Sequence, residues 1–146
     1  MTFEALPDDL PAIPILLRDA RGAFAGAIAT GLASAGLPAL PTNGPLILRG
    51  LHEGGSLTQL VTLRQRSIDR FQTIEKLREA GYLSGPEDDL VLSERGHQAA
   101  HVIFDAIRQL TTSLHDSLGD DGMRSFVKGL LFLSEEQHAH ESAREL

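Results

Sequence analysis

Hydrophobic positions along the chain fall into runs of helical period, separated by clusters of proline and glycine. After Pro7, Pro11 and Pro14, the residues Leu17, Phe24, Ile28, Leu32 and Ala35 recur at steps of seven, four and three. That spacing predicts a helix over about residues 12–36. Ala20, Gly22, Ala23, Gly26 and Ala27 interleave with it and permit close helix approach. Gly36-Leu-Pro38 and Pro41-Thr-Asn-Gly-Pro45 stop this helix and open a second over about 44–53, with Leu46, Ile47 and Leu51 apolar and Gly54-Gly55 at its end. Ser56-Leu-Thr-Gln59 fits a capping box that starts a short helix to about Leu63. Ser67 then serves as N-cap to a fourth helix whose stripe is Ile68, Phe71, Ile74 and Leu77, closed by Gly81 as the C′ residue.

The period changes after Gly81. Tyr82-Leu83 and Leu90-Val-Leu92 flank the turn Ser-Gly-Pro-Glu-Asp-Asp and predict two short strands. Two helices follow. Ala99, Val102, Ile103, Ala106, Ile107, Leu110, Leu114 and Leu118 step by threes and fours, Gly119-Asp-Asp-Gly122 breaks the run, and Met123, Phe126, Val127, Leu130, Leu131 and Leu133 form the last apolar face.

Three short helices leading into a hairpin describe a winged helix-turn-helix, with residues 67–80 as the recognition helix and the hairpin as the wing. The fold class is therefore mainly α with a small β-hairpin wing (α+β), flanked by long N- and C-terminal helices. Those helices are too apolar along one side for so small a core to cover. A symmetric dimer built on residues 12–36 and 97–142 would bury that surface, with Leu17, Ile107, Leu110, Leu114, Phe126 and Leu130 at its interface. It would hold two DNA-binding lobes (residues 44–95) about one turn of DNA apart, roughly 34–36 Å.

Composition changes the picture in three ways. The 146 residues predict a single domain over 1–146, and the absence of cysteine excludes disulfide scaffolds, thiolate metal sites and thiol-based sensing. No apolar run is long enough for a membrane span, and an acidic, proline-bearing N-terminus does not read as a targeting signal, so a cytoplasmic location is expected. The net charge of −7 hides an asymmetry. From Arg49 to Arg78 six basic residues face three acidic ones, a local +3, which leaves seven against seventeen, −10, elsewhere. An acidic body with one basic segment suits a module that meets phosphate on one face.

The chain resembles the MarR family of bacterial transcriptional regulators from about Leu16 to Glu135. Leu77-Arg-Glu-Ala-Gly81-Tyr-Leu83 is similar to the family's "LexxGyl" end of the recognition helix, and Leu90-Val-Leu-Ser-Glu-Arg-Gly96 to its "lvxLTexG". Ala-Gly-Leu-Pro before the second helix looks like many actinobacterial members. The resemblance implies a homodimer that binds a palindromic operator in double-stranded DNA and often releases it when a small aromatic, phenolic or oxidised ligand binds between the dimerisation helices and the DNA-binding lobe. Two departures stand out. Arg70 falls where the family is usually aliphatic, and the short wing carries Glu87, Asp88 and Asp89 in place of the basic residue that members insert into the minor groove. A second reading therefore stays open, a winged-helix dimer with weak or lost DNA binding that acts through protein or ligand interaction.

For DNA contact the candidates are Arg64, Arg66, Ser67, Asp69, Arg70, Gln72, Thr73 and Lys76. Arg and Lys suit guanine edges and phosphates, Gln72 suits adenine, Ser67 and Thr73 suit phosphate or base, and Asp69 suits a cytosine amino group or orients a neighbouring arginine. The candidate ligand pocket is Phe24, Ile28, Leu48 and His52, with His52 its polar handle. His97 and His101 stand at i, i+4, a spacing that can share a metal, but two solvent-facing histidines are the commoner arrangement. The tail histidines His138 and His140, with Glu135, Glu136 and Glu141, read as a polar C-terminus. No metal or cofactor is expected. No phosphate loop, nucleophile elbow or H-E-x-x-H is present, and Ser93, His97 and Asp105 crowd one helix without an oxyanion site, so no catalytic residue is assigned.

Overall fold

The computed structural model describes residues 12–54, 67–86 and 89–144. Its elements are α1 (Ile13–Ser34), α2 (Gly44–His52), α3 (Ser67–Glu79), β1 (Leu83–Ser84), β2 (Val91–Leu92) and α4 (Glu94–Arg144). The order and the positions match the sequence pattern closely. The short helix expected to reach Leu63, with its capping box, lies outside the described residues. The helix α4 is interrupted at Gly119, whose φ of 75° and ψ of 175° are not helical, at the break that the Gly-Asp-Asp-Gly run predicts. Among the described residues no helix is long and apolar enough to cross a membrane.

The chain divides into two compact units, residues 1–108 and 109–146. In the first, Ile28, Leu32, Leu37, Ile47, Leu48, Leu77, Tyr82, Leu83, Leu92, Ala99 and Ile103 form the core, drawn from every described element. Two helices enter that core by the same device. After α1, Gly36 takes φ of 70°, the Gly36 amide donates to Ala33 O at 3.1 Å, and the Leu37 amide to Leu32 O at 2.9 Å. After α3, Gly81 takes φ of 83°, its amide donates to Arg78 O at 2.9 Å, and the Tyr82 amide to Leu77 O at 3.0 Å. This is the Schellman closure, in which a left-handed glycine reverses the chain and the next residue turns inward. Here the next residues are Leu37 and Tyr82, both buried.

The hairpin pairs Leu83 with Leu92 and Ser84 with Val91 in antiparallel register. Alternation along a strand sends Leu83 and Leu92 into the core and leaves Ser84 and Val91 outside. Ser93 then caps α4. The Gly96 amide donates to Ser93 Oγ at 3.0 Å, the third-residue bond expected of an N-cap serine, and the hydroxyl donates in turn to Gly81 O at 2.5 Å. The second unit is the remainder of α4. His115 Nε2 meets Asp120 Oδ1 at 2.6 Å across the Gly119 break.

Candidate nucleic-acid interface

The rotation of α3 about its axis decides what it presents to a partner. Leu77 is locked inward by its place at the helix end, three residues before the closing glycine's neighbour Ala80. At about 100° per residue, Thr73, one turn earlier, must also face inward, whereas Phe71 turns roughly 120° away from Leu77. The burial follows this geometry. Thr73 is 5% exposed and Phe71 66%. Two expectations are thereby corrected. Phe71 does not belong to the buried stripe, and Thr73 is not on the solvent face in this protomer.

Gln72 and Lys76 are exposed, one turn apart on the outer surface of α3. Glu75 and Arg78 lie beside them, half-buried, with Arg78 Nη1 3.3 Å from Glu75 Oε1. Arg64 and Arg66 lie outside the described residues, as do the side chains of Ser67, Asp69 and Arg70. At the wing, Asp89 is exposed, Gly85 bends the chain with φ of 98°, and Glu87 and Asp88 lie outside the described residues. Arg95, at the start of α4, donates to Ala80 O at 3.2 Å and so places a cation at the junction of α3 and the hairpin. Sequence reasoning missed Arg95, because only the capped turn at Ser93 brings it back over the end of α3.

Tyr82 sits under this junction. Its hydroxyl donates to Pro38 O, and burial pushes the phenol above its ordinary value, with the nearby Arg95 guanidinium opposing.

Of the proposed pocket residues, two lie together in the core. Ile28 and Leu48 are core, Phe24 is half-buried, and His52 turns to α4. There His52 Nδ1 lies 3.0 Å from His97 Nδ1, and the His52 ring stands edge-on to His101 with centroids 4.9 Å apart. Phe104 packs 5.7 Å from the same ring, with the Arg49 guanidinium 5.6 Å over Phe104. Among the described residues, no group of three or more acidic or histidine side chains stands ready to hold a metal ion.

Apolar surface is exposed in each unit. In the first it is Ile13, Ile15, Leu16 and Leu17 at the start of α1; in the second, Leu118, Phe126, Val127 and Leu130 through Leu133. Of the other expected interface residues, Ile107 is packed against the core, and Leu110 and Leu114 are half-buried.

No protein-family model matches the chain, and no curated protein matches it. Among solved structures, it is similar to a crystal structure of the Mycobacterium tuberculosis MarR family protein Rv2887 in complex with DNA. The TM-score is 0.56 at 22% identity, over 83% of this chain and 96% of that one. The chain thus has a winged-helix fold of the kind seen in a MarR family protein, mostly helical with one two-stranded antiparallel hairpin.

Proposed function

We propose that this protein is a homodimeric, DNA-binding transcriptional regulator of the MarR type. Its α3 enters the major groove of a palindromic operator, and a small ligand shifts the spacing of the two recognition helices. The observation that carries this reading is an exposed Gln72–Lys76 face on the helix that leads into a wing, in a fold shared with a protein solved on DNA. Arg95 beside the end of α3, and the local +3 of residues 49–78, add positive charge to the segment that would meet phosphate. The apolar residues left open at the start of α1 and, separately, on the second half of α4 support the dimer, since exposed apolar patches mark interfaces.

A second reading has its own support. Asp89 is exposed on a wing with two further acids in its turn, and like charge facing phosphate opposes binding. On that reading the same dimer acts through a protein or ligand partner.

The deciding experiment is binding to the DNA upstream of its own gene, and to DNA selected from a random pool, from about 50 to 200 mM salt. A regulator gives a specific complex whose affinity falls steeply with salt. Lys76→Ala then weakens binding across sequences and reduces the salt slope by about one, whereas Gln72→Ala relaxes preference at one position by roughly 1–3 kcal/mol. Failure to enrich any sequence at low salt selects the second reading.

A further inference from the structure

Three histidines from two elements meet on the surface of the first unit. His52 is the last residue of α2, and His97 and His101 lie one turn apart at the start of α4, where i, i+4 side chains share a face. The Nδ1 atoms of His52 and His97 are 3.0 Å apart, the ring centroids of that pair 5.3 Å, and those of His52 and His101 4.9 Å. We propose that His52, His97 and His101 form a binding site for a divalent transition-metal cation, with Zn2+ as the cation of matching chemistry.

The donor set carries the argument. Imidazole suits borderline cations such as Zn2+, and three protein ligands with one open position is a common zinc arrangement. Two nitrogens on one tetrahedral zinc, at bonds of about 2.0–2.1 Å, stand about 3.3 Å apart. The His52–His97 pair is therefore within a few tenths of an ångström of ligand separation. As the side chains stand, no three donors form a closed set, and His101 supplies the third by rotating its exposed side chain toward His52. A direct imidazole–imidazole hydrogen bond explains the pair alone. It does not engage the third histidine, which packs edge-on to the first.

The surroundings suit a cation. The Arg49 guanidinium, the nearest positive group on α2, is paired with Glu53 at 3.3 Å. Phe104 covers one side of His52 and limits water there. His97 and His101 are exposed, so the site has an open approach. A bound cation would tie the end of α2 to the start of α4, the helix that Ser93 caps against the wing. This proposal does not depend on DNA binding.

The test is calorimetric titration of tag-free, chelator-treated full-length protein with Zn2+, repeated with Co2+ to read coordination from its visible absorption. One cation per chain is expected, with a raised thermal midpoint and a tetrahedral Co2+ spectrum. His97→Gln and His101→Gln, both at exposed positions of α4, each lower affinity at least ~100-fold while the far-ultraviolet dichroism of the metal-free protein is unchanged. His52→Gln does the same if it folds. The double variant His138→Ala, His140→Ala leaves binding intact. Binding that survives the α4 variants, follows the tail histidines, or is absent at 0.1 mM-scale Zn2+ (on the order of 100 µM) overturns the proposal.

Discussion

Gly96 sits where the first turn of α4 passes against the wing, and a methyl group there has nowhere to go. A Cβ at this position would lie 2.3 Å from Tyr82 O, 2.9 Å from Leu92 Cδ2 and 3.3 Å from Leu92 Cβ. The first obstacle is backbone, and Leu92 is buried, so neither yields as a surface side chain would. Moving the Tyr82 carbonyl also disturbs the 3.0 Å bond that it accepts from the Ser93 amide. Relieving such a contact costs about 1–3 kcal/mol, and a weakened hydrogen bond about 1 kcal/mol more. Against this, alanine is a better helix former than glycine by up to about 1 kcal/mol. The expected balance for Gly96→Ala is a loss of about 1–3 kcal/mol, or roughly 2–12 °C in Tm at about 2–4 °C per kcal/mol for a chain of this size. Urea unfolding followed by far-ultraviolet dichroism, at one fixed protein concentration, measures it as a fall in midpoint with unchanged slope. Gly22→Ala provides the control, because no atom lies within 4 Å of a Cβ built there in the protomer. A Gly96→Ala protein as stable as the parent would refute the close approach of α4 to the wing.

Other consequences can be measured alongside. Ser93→Ala removes the N-cap of α4 and the donor to Gly81 O; it is expected to cost about 1–2 kcal/mol, and Ser93→Thr should restore most of it in the same urea titration. Tyr82 holds its proton in the folded protein to higher pH than in the unfolded chain, since burial raises its pKa. Its contribution to stability is therefore full below about pH 10 and is lost as pH rises through the folded value. Tyr82→Phe should flatten that alkaline limb while costing about 1–2 kcal/mol at neutral pH through the unpaired Pro38 carbonyl. Phe126→Asp places a charge in the proposed dimer face; light scattering should then report the 15.8 kDa chain rather than about twice that mass.

Most of the architecture was legible because it rests on local rules. Gly36 and Gly81 were readable as helix ends, since a left-handed C′ position favours glycine, and both take it. The two-residue strands and the break at Gly119 follow from changes of period and from turn chemistry in the same way. What was not legible is rotation and juxtaposition. The stripe Ile68, Phe71, Ile74 and Leu77 is a sound helical pattern, yet the closure after Leu77 sets the phase of α3, and Thr73 goes inside while Phe71 comes out. The candidate pocket residues were ambiguous for a related reason. Apolar spacing cannot distinguish a core position from a cavity wall, and Ile28 and Leu48 are core. His52, His97 and His101 were each conspicuous in the sequence, but 45 residues separate the first two, and only the fold brings them together.

These local devices share atoms, and that constrains how any signal travels through the lobe. The end of α3 is closed on Leu77 O and Arg78 O; Ala80 O is held by Arg95; Gly81 O is held by Ser93 Oγ; and Tyr82 O is held by the Ser93 amide. Five of the six carbonyls of residues 77–82 are thus held, and Gly96 fits against the Tyr82 carbonyl where a Cβ would collide with it. A segment with most of its carbonyls bonded and with Leu77 and Tyr82 buried in the core does not deform gradually. The end of α3, the hairpin and the first turn of α4 are therefore expected to move as one body. On the proposed function, a ligand that alters DNA binding would shift that body as a whole rather than bend α3 away from the hairpin. A cation held between His52 and His97 would act on the same body, because His97 lies on the turn that Ser93 caps, its amide bonded to Ser93 O at 3.0 Å.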